Sequence, residues 1–395
     1  MLTAHQKSIV SATVPLLESG GEALTTHFYG ILLGEHPEVR PLFNQAHQAS
    51  GDQPRALANG VLMYAKHIDR LEALGPLAQQ IVNKHVALQV QPEHYPIVGA
   101  CLLRAIREVL GAEIATDEVI EAWAAAYGQL ADMLIGAERQ VYDSHAAAPG
   151  GWRGGRAFKV VRKEAESEEI SSFYFAPVDG QPVIDFQAGQ YIGIRLVFDG
   201  QDIRRNYSLS AAPNGKTYRI SVKREQGGVA SNHLHDRVHE DGVVELFPPS
   251  GAFTLEHSER PLVLISGGVG ITPTLAMLDA ALNSSRVVHF IHCARNRGVH
   301  AFRHTIEALA RKHPQFKRFY CYEEAPDGTG EAPHAVGRLD VQTLARWLPA
   351  GTTDIDAYFL GPKPFMQHVK SALRTLGVPE PQLRYEFFGP ASALE

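Results

Sequence analysis

Cysteine is scarce in this sequence, and no long apolar or basic segment is present. The three cysteines, Cys101, Cys293 and Cys321, lack the spacing of a metal cluster or a disulfide framework, which is typical of proteins from a reducing compartment. With 37 basic residues against 43 acidic ones and no basic run, the chain lacks the charge pattern of a nucleic-acid-binding protein. The most apolar window, residues 261–278, is interrupted by glycine and proline and is too short to span a membrane. Because the N-terminus also lacks a signal-peptide pattern, we expect a cytoplasmic protein without a nucleic-acid partner.

The length and the apolar pattern predict several domains. At 395 residues the chain exceeds the size at which one hydrophobic core usually stops growing. Residues 1–146 carry apolar side chains three and four positions apart, which predicts an all-α domain. The segment 147–155 is rich in alanine and glycine and interrupts this period, so we interpret it as a linker.

Beyond the linker, the spacing of apolar residues changes to every second position. Ile192, Ile194 and Leu196 would share one face of a strand, and similar short runs recur through residues 156–258. This pattern predicts a small antiparallel β-barrel. In residues 259–395, apolar strands alternate with helical stretches, which predicts an α/β domain with a doubly wound parallel sheet.

A glycine-rich turn follows the first predicted strand of the α/β domain and opens a helix. Glycines let the backbone approach a pyrophosphate closely, and a helix N-terminus supplies free N–H groups and the positive end of a dipole. We expect Thr272 to be the N-cap of this helix. A tight turn without a ligand has the same pattern, but its place at the first strand of the sheet favours nucleotide binding. The turn comprises Gly267, Gly268, Val269, Gly270, Ile271 and Thr272.

Two clusters in the barrel segment have the chemistry of a flavin site. An arginine can neutralise a phosphate, a tyrosine can stack on a flat ring, and small residues expose N–H groups to an anion. Each cluster alone could be an ordinary strand edge or loop. Together, and in this order, they resemble the ferredoxin-reductase-like family of FAD proteins, in which the first cluster binds flavin and the second holds its diphosphate. The first cluster, Arg205, Asn206, Tyr207 and Ser208, follows one predicted strand, and the second, Gly228, Val229 and Ser231, follows another.

The same resemblance implies further cofactor contacts. Tyr191 would contact the adenine side of FAD, the turn at 267–272 would bind NAD(P)H, and Gly361 would lie beside the nicotinamide. Many members have cysteine before this glycine, where the present chain has Leu360, so a thiol contact to the nicotinamide is not expected. The tail of the chain would cover the flavin ring, and it could at the same time form a buried final strand. Its residues are Glu386, Phe387, Phe388, Gly389 and Pro390.

The N-terminal segment offers a haem ligand in His85. Ile81, Val82 and Leu88 surround it at helical spacing and could press against a porphyrin, although a lone histidine on an apolar face is more often structural. The whole segment resembles the globins of flavohaemoglobins, and with the reductase half the resemblance covers nearly all of the chain. It implies haem b with His85 as the iron ligand. The other positions with the expected residue type are Tyr29, Phe43, Gln53, Leu57, Lys84, Tyr95 and Glu138.

The resemblance also implies roles for these residues. Tyr29, helped by Gln53, would hold dioxygen through a hydrogen bond. Glu138 would accept a hydrogen bond from the imidazole of His85, with Tyr95 in support, and so strengthen electron donation to iron. Lys84 and Glu386 would tune the reduction potentials through their charges, unless both are simply solvated. Phe43 and Leu57 would contact the haem, although either alone resembles a core residue.

The implied function is that of a nitric oxide dioxygenase. Electrons would pass from NAD(P)H through FAD to the haem iron, and nitric oxide would be oxidised to nitrate with dioxygen. Two alternatives stay open, namely a haem-based gas sensor or oxygen carrier with an attached reductase, and a general NAD(P)H-dependent flavin, quinone or ferric reductase. We expect a monomer, with dioxygen, nitric oxide and NAD(P)H as small-molecule partners. NADH is favoured over NADPH, although Arg295 and Arg297 would suit an additional phosphate.

Overall fold

The computed structural model describes residues 2–44, 48, 51–324, 332–389 and 394. Contacts between residues divide the chain into two compact units. The first comprises Met1–Gly154, Arg195–Arg205 and Phe388–Ser392, and the second comprises Gly155–Ile194, Asn206–Phe387 and Ala393–Glu395.

The first unit is built mainly from amphipathic helices. Its helices are α1 (Ala4–Ala12), α2 (Val14–Glu35), α3 (Asp52–Lys66), α4 (Gly75–Leu88), α5 (His94–Leu110) and α6 (Asp117–Ala147). Short 3₁₀ turns lie at Pro37–Leu42 and Leu71–Leu74. The Thr3 hydroxyl caps α1, and the Thr116 hydroxyl accepts from the backbone of Val119 at the start of α6. These caps satisfy N–H groups that would otherwise lack partners.

The apolar faces of these helices meet in one main core. Phe28 and Leu32 of α2, Ala105 of α5, and Trp123 and Ala126 of α6 are among its buried members. Each large side chain in such a core stabilises the fold by about 1.5–3 kcal/mol. A smaller cluster joins α4, α5 and α6. Its buried residues are Val82, Val86, Tyr95, Ala131, Leu134 and Tyr142.

An antiparallel sheet of six strands follows. Its strands are β1 (Arg156–Ala165), β2 (Ile170–Pro177), β3 (Tyr191–Phe198), β4 (Gln201–Ser208), β5 (Tyr218–Lys223) and β6 (Val243–Leu246), in the order β4-β3-β6-β1-β2-β5. An isolated bridge between Leu209 and Ile220 brings the end of β4 to β5. The sheet is therefore barrel-like rather than fully closed. Helix α7 (Val229–Arg237), which the apolar pattern did not predict, lies between β5 and β6.

The C-terminal half forms the predicted α/β layer structure. Its strands are β7 (Leu262–Gly267), β8 (Val288–Ala294), β9 (Phe316–Tyr322), β10 (Ala335–Val336), β11 (Asp356–Leu360) and β12 (Leu383–Tyr385). They pair in parallel in the order β10-β9-β8-β7-β11-β12. The connecting helices are α8 (Ile271–Ala281), α9 (Arg303–Lys312), α10 (Val341–Trp347) and α11 (Lys363–Thr375).

Both faces of this sheet are covered, which explains why its strands are almost uniformly apolar. Leu264 and Phe290 point into one core, whereas Val263 and Ile291 point into the other. The predicted final strand is shorter than expected, because β12 ends at Tyr385. The fold class predicted from the sequence, all-α followed by an antiparallel and then a parallel sheet, is confirmed.

No helix within the described ranges is long and apolar enough to cross a bilayer.

Candidate functional site

Three predicted site residues of the first unit form one hydrogen-bonded group. His85 lies on α4, Tyr95 on α5 and Glu138 on α6. Oε1 of Glu138 accepts from the Tyr95 hydroxyl at 2.6 Å and lies 2.7 Å from Nδ1 of His85. The Glu138 side chain is 2% exposed, and these two donors supply the hydrogen bonds without which a buried carboxylate is costly.

This arrangement fits an iron ligand. With Nδ1 protonated and donating to the carboxylate, the neutral imidazole carries its lone pair on Nε2, the nitrogen that a metal ion requires. Among the described residues, no hydrogen bond to Nε2 of His85 is found, and its side chain is 32% exposed. A carboxylate behind a ligating histidine fixes the ring and increases its basicity. The residues present therefore suit a haem iron at this position.

Tyr95 is held through both its side chain and its backbone. Burial and the hydrogen bond to the Glu138 carboxylate raise the pKa of Tyr95 far above its ordinary value, so the phenol stays a donor. Its backbone carbonyl accepts from the Tyr127 hydroxyl at 2.7 Å. Tyr127 is not predicted from the sequence, since nothing local in the sequence marks a hydrogen bond between two helices.

A second group of predicted residues surrounds Tyr29 on α2. Its ring meets that of Phe43 edge to face, with centroids 5.6 Å apart. Burial raises the pKa of the Tyr29 phenol well above its ordinary value, and a hydrogen bond with the side chain of Gln53 opposes this only in part. Leu57 of α3 is partly buried against the same core. The structure thus brings together a protonated phenol, an amide and two apolar side chains, which suits a small polar ligand in an apolar pocket.

Lys84 precedes the histidine on α4 and contacts the chain terminus within the first unit. Its ammonium group donates a hydrogen bond to the carbonyl oxygen of Gly389. Phe388 is 47% exposed, and the predicted site residue Pro390 lies outside the described residues. The predicted influence of Lys84 on a reduction potential stays a prediction.

The predicted flavin-binding cluster lies within a strand, which corrects the expectation that it follows one. Arg205, Asn206, Tyr207 and Ser208 are the last four residues of β4. Oδ1 of Asn206 is buried, and no hydrogen-bond partner for it is found among the described residues. A buried amide oxygen without a donor is costly, which indicates that a bound group supplies one. This observation fits a flavin, whose ring and ribityl chain carry N–H and O–H groups.

The second predicted cluster forms the start of α7. Gly228 is the N-cap residue of this helix, and no side chain caps the helix by a hydrogen bond. The N–H groups of the first turn are therefore available to an anion. A Cβ at Gly228 would lie 2.5 Å from Oγ of Ser231 and 2.9 Å from Cβ of Glu225, so a larger residue would displace these side chains. Ser231 also accepts from the backbone N–H of Glu225 at 3.2 Å, and Val229, the first helical residue, is exposed. The arrangement suits a diphosphate.

Tyr191 and the C-terminal segment are linked electrostatically in the second unit. Tyr191 begins β3, and burial together with the nearby carboxylate of Glu386 raises the pKa of its phenol. Phe387 is partly buried and meets Tyr385 edge to face at 5.9 Å. Glu386 and Phe387 therefore follow β12 in an irregular segment rather than in the strand that the sequence allowed.

The predicted nucleotide-binding turn joins β7 to α8. Gly267 ends the strand, Gly268–Gly270 form one 3₁₀ turn, and Ile271 begins the helix. A Cβ at Gly270 would lie 2.4 Å from the carbonyl oxygen of Leu360, directly before Gly361. The turn that follows β7 therefore lies directly against the end of β11. This edge is where parallel α/β sheets bind nucleotides, so the residues present fit a dinucleotide.

The prediction that Thr272 is the N-cap of α8 is wrong. The cap position is Gly270, and Thr272 lies inside the first turn, where its hydroxyl donates to the carbonyl of Val269 at 3.0 Å. The N–H of Ile271, the first residue of α8, donates to the carbonyls of Gly268 and Val269, so the 3₁₀ turn rather than a side chain begins this helix. Of the arginines considered for a further phosphate, Arg295 is already paired with the carboxylate of Glu169.

Family models cover most of the chain in three consecutive matches. Residues 26–134 match the globin family. Residues 157–255 match the oxidoreductase FAD-binding domain, and residues 264–371 match the oxidoreductase NAD-binding domain.

Whole-length relatives show the same combination. The chain is 69% identical to a flavohemoprotein of Burkholderia sp. (strain TH2) and 65% identical to one of Pseudomonas aeruginosa, each over 100% of both chains. Among solved structures, it resembles a flavohemoglobin from Malassezia yamatoensis with bound FAD and heme, with a TM-score of 0.85, 28% identity, and 98% and 100% of the two chains covered. It also resembles the FAD/NAD-binding domain of a nitric oxide dioxygenase from Vibrio cholerae, with a TM-score of 0.55, 38% identity, and 60% and 100% covered.

Proposed function

Because the chain belongs to the flavohaemoprotein family, we propose that it is a nitric oxide dioxygenase that oxidises nitric oxide to nitrate with dioxygen and NAD(P)H. It is an oxidoreductase with haem b, FAD and NAD(P)H as cofactors. When bound, the haem supplies redox-active iron, and the flavin converts a two-electron hydride donor into a source of single electrons.

The observation that carries the proposal is the hydrogen-bonded group of His85, Tyr95 and Glu138. The carboxylate holds Nδ1 of His85 as a donor, which makes the imidazole a stronger electron donor at Nε2. Electron donation of this kind favours oxygen activation over simple oxygen carriage. A carrier would not need a buried carboxylate that must be stabilised by two donors.

Tyr29 would act on the substrate side. Its phenol stays protonated because burial raises its pKa, so it can donate a hydrogen bond to a polar diatomic molecule. Gln53 orients the phenol through their hydrogen bond, and Phe43 and Leu57 exclude water. We assign the catalytic roles to Tyr29, Gln53, Tyr95 and Glu138, and metal binding to His85.

The reductase residues would bind and orient two nucleotides. Arg205 and the start of α7 would neutralise the FAD phosphates, with Tyr207 against the ring and Tyr191 on the adenine side. The turn from Gly267 to Thr272 would hold the diphosphate of NAD(P)H. The remaining proposed FAD contacts are Asn206, Ser208, Gly228, Val229, Ser231, Glu386, Phe387, Phe388, Gly389 and Pro390, whereas Gly361 would lie beside the nicotinamide.

We assign residues 1–146 to the globin domain, 147–155 to the linker, 156–258 to the FAD domain and 259–395 to the NAD(P)H domain. The matches at 26–134, 157–255 and 264–371 support this division, since each falls inside one of these ranges. We further propose that the protein is a cytoplasmic monomer with NADH as the preferred donor, which the pairing of Arg295 with Glu169 supports.

The test compares nitric oxide consumption by Tyr29→Phe and His85→Ala with that of the parent protein, after the absorption spectrum has verified haem and flavin. Loss of the Tyr29 hydroxyl should slow nitric oxide consumption about tenfold or more while the protein still binds oxygen weakly. Tyr64→Phe is the matched control, because it removes a phenol that donates to the Ala126 carbonyl elsewhere in the first unit.

Each alternative function has its own signature in this test. Unchanged nitric oxide consumption in Tyr29→Phe would favour a carrier or sensor. If His85→Ala abolished haem binding without affecting the main NADH-dependent activity, the protein would be a flavin or ferric reductase.

A further inference from the structure

Two of the three cysteines, distant in sequence, are register partners in the parallel sheet. Cys293 on β8 lies directly opposite Cys321 on β9. Both side chains belong to the apolar cluster on the sheet face that α10 and α11 cover. Both are free thiols, with Cys321 2% exposed and Cys293 partly exposed.

The spacing of the pair suits a disulfide. Neighbouring strands lie about 4.7–4.9 Å apart, and register partners project to the same face. A disulfide needs Cα atoms about 4.4–6.8 Å apart. The two thiols already make a hydrogen bond with each other. The thiol of Cys321 also donates a hydrogen bond to the carbonyl oxygen of Gly337 at 3.2 Å, so it is held in place beside its partner.

We propose that Cys293 and Cys321 are an oxidation site that forms a reversible disulfide with a small peroxide as oxidant. In the first step the sulfur of Cys321 attacks hydrogen peroxide, the O–O bond breaks, and a sulfenic acid and one water form. In the second step the sulfur of Cys293 attacks the sulfenic sulfur and displaces a second water. Two thiols and one peroxide thus give one disulfide and two waters, and the electrons from the two S–H bonds reduce the peroxide.

The hydrogen bond between the thiols sets the order of attack. As the acceptor, Cys321 has a lowered pKa, because the Cys293 thiol stabilises its thiolate. As the donor, Cys293 has a raised pKa, because its proton is engaged with Cys321 and desolvation also disfavours its thiolate. Thiolates rather than thiols are nucleophilic, so Cys321 reacts first and Cys293 resolves the product.

A dithiol reductant should restore the pair, because thiol–disulfide exchange is reversible.

The test uses the full-length protein, reduced and then exposed to a stoichiometric amount of hydrogen peroxide. After quenching with iodoacetamide and digestion without reductant, mass spectrometry should find the peptides of Cys293 and Cys321 joined, and reductant should separate them. Cys101→Ser is the matched control and should keep the link. Absence of the link in the parent protein, a link only between two chains, or a link through Cys101 would overturn the proposal.

A second measurement tests the hydrogen bond without requiring the disulfide. The rate at which Cys321 loses its alkylatable thiol in peroxide is compared between Cys293→Ser, which retains a hydroxyl donor, and Cys293→Ala, which does not. The alanine variant should react about threefold to tenfold more slowly, the effect of one hydrogen bond. Equal rates would refute the assigned order of attack. Neither measurement depends on nitric oxide turnover, so a failure here is distinguishable from a failure of the proposed function.

Discussion

Replacing Glu138 with glutamine removes one negative charge and nearly conserves the shape of the side chain. In the structure Oε1 of Glu138 lies 2.7 Å from Nδ1 of His85 and accepts from the Tyr95 hydroxyl at 2.6 Å. A glutamine has one carbonyl oxygen in place of two acceptor oxygens. If that oxygen faces the two donors, both hydrogen bonds survive in neutral form, and no new group needs space.

The expected magnitude follows from these two hydrogen bonds. A hydrogen bond to a charged group contributes about 1.5–3 kcal/mol net, and one between neutral groups about 0.5–1.5 kcal/mol. The bond to His85 should therefore weaken by about 1–1.5 kcal/mol, which corresponds to about tenfold in a rate that depends on it. Losses of about tenfold to a hundredfold are usual when the partner of a ligating histidine is changed. We expect a reduction of nitric oxide turnover within that range.

The assay combines turnover with a spectroscopic measurement of the imidazole. Nitric oxide consumption is followed with NADH and dioxygen in excess, and resonance Raman spectra of the ferrous protein report the iron–histidine stretching frequency. That frequency should fall in Glu138→Gln, because a less basic imidazole binds iron less strongly. The matched control is Tyr142→Phe on the same helix, which removes a hydrogen bond to the Val90 carbonyl and should leave the frequency unchanged. Parent-like turnover and frequency in Glu138→Gln would refute the reasoning.

Two further predictions concern the C-terminal half. Burial lowers the pKa of His292 to about 3 from the ordinary value of 6.5, so between these values the unfolded chain binds one proton more than the folded chain. This residue should therefore lower the free energy of unfolding by about 1.4 kcal/mol for each pH unit below about 6.5. In scanning calorimetry, the Tm of His292→Gln should decrease less on acidification than that of the parent protein. An equally steep decrease in both proteins would show that this imidazole is not the cause. Glu169→Ala should release Arg295 from its ion pair and so raise kcat/KM for NADPH relative to that for NADH. The expected increase is about twofold to fivefold, which corresponds to the free energy of one exposed ion pair. Glu168→Ala, which changes the neighbouring carboxylate, is the control. An unchanged ratio in steady-state kinetics would exclude Arg295 as a phosphate contact.

The overall fold could be predicted from the sequence because its main elements have strong local periods. The helical pattern near residues 120–142 corresponds to one helix, Asp117–Ala147, which buries a continuous apolar stripe. The nearly uninterrupted apolar runs at Leu262–Gly267 and Asp356–Leu360 are central strands covered on both faces. In each case the apolar pattern that predicts the element lies within the residues that form it.

Elements without such a period were missed. The strand β4 (Gln201–Ser208) is largely polar and lies at the end of the strand order, so its apolar alternation is weak. Helix α7 (Val229–Arg237) is short and polar, and only three of its residues are buried. The cap of α8 was placed at Thr272 because threonine is a frequent N-cap, whereas the close approach of Gly270 to Leu360 decides the geometry. Contacts between distant strands leave no local signal.

In the candidate site, too, the residue types could be predicted from the sequence, whereas the contacts between them could not. Residue types at Tyr29, His85 and Glu138 could be matched to a family pattern, but their hydrogen bonds depend on how separate helices pack. The pairing of Cys293 with Cys321 could not be predicted at all, because it follows from the register of β8 and β9. A shift of either strand by one residue would move one thiol to the opposite face.

The energetics of Glu138 indicate that its carboxylate is retained for function rather than for stability. Burying an ionised side chain costs several kcal/mol, and well-packed apolar side chains in place of a buried polar pair are often neutral or stabilising. The surroundings would accept such a replacement, since Val82, Val86 and Leu134 already form an apolar cluster there. A carboxylate at this place therefore lowers stability relative to an apolar side chain, while it fixes the His85 tautomer and increases the basicity of Nε2. It follows that a variant in which Glu138 and Tyr95 are both apolar should fold at least as stably as one in which only Tyr95 is changed. Because Tyr95 acts through Glu138, the double variant should turn over nitric oxide as slowly as the variant in which only Glu138 is apolar.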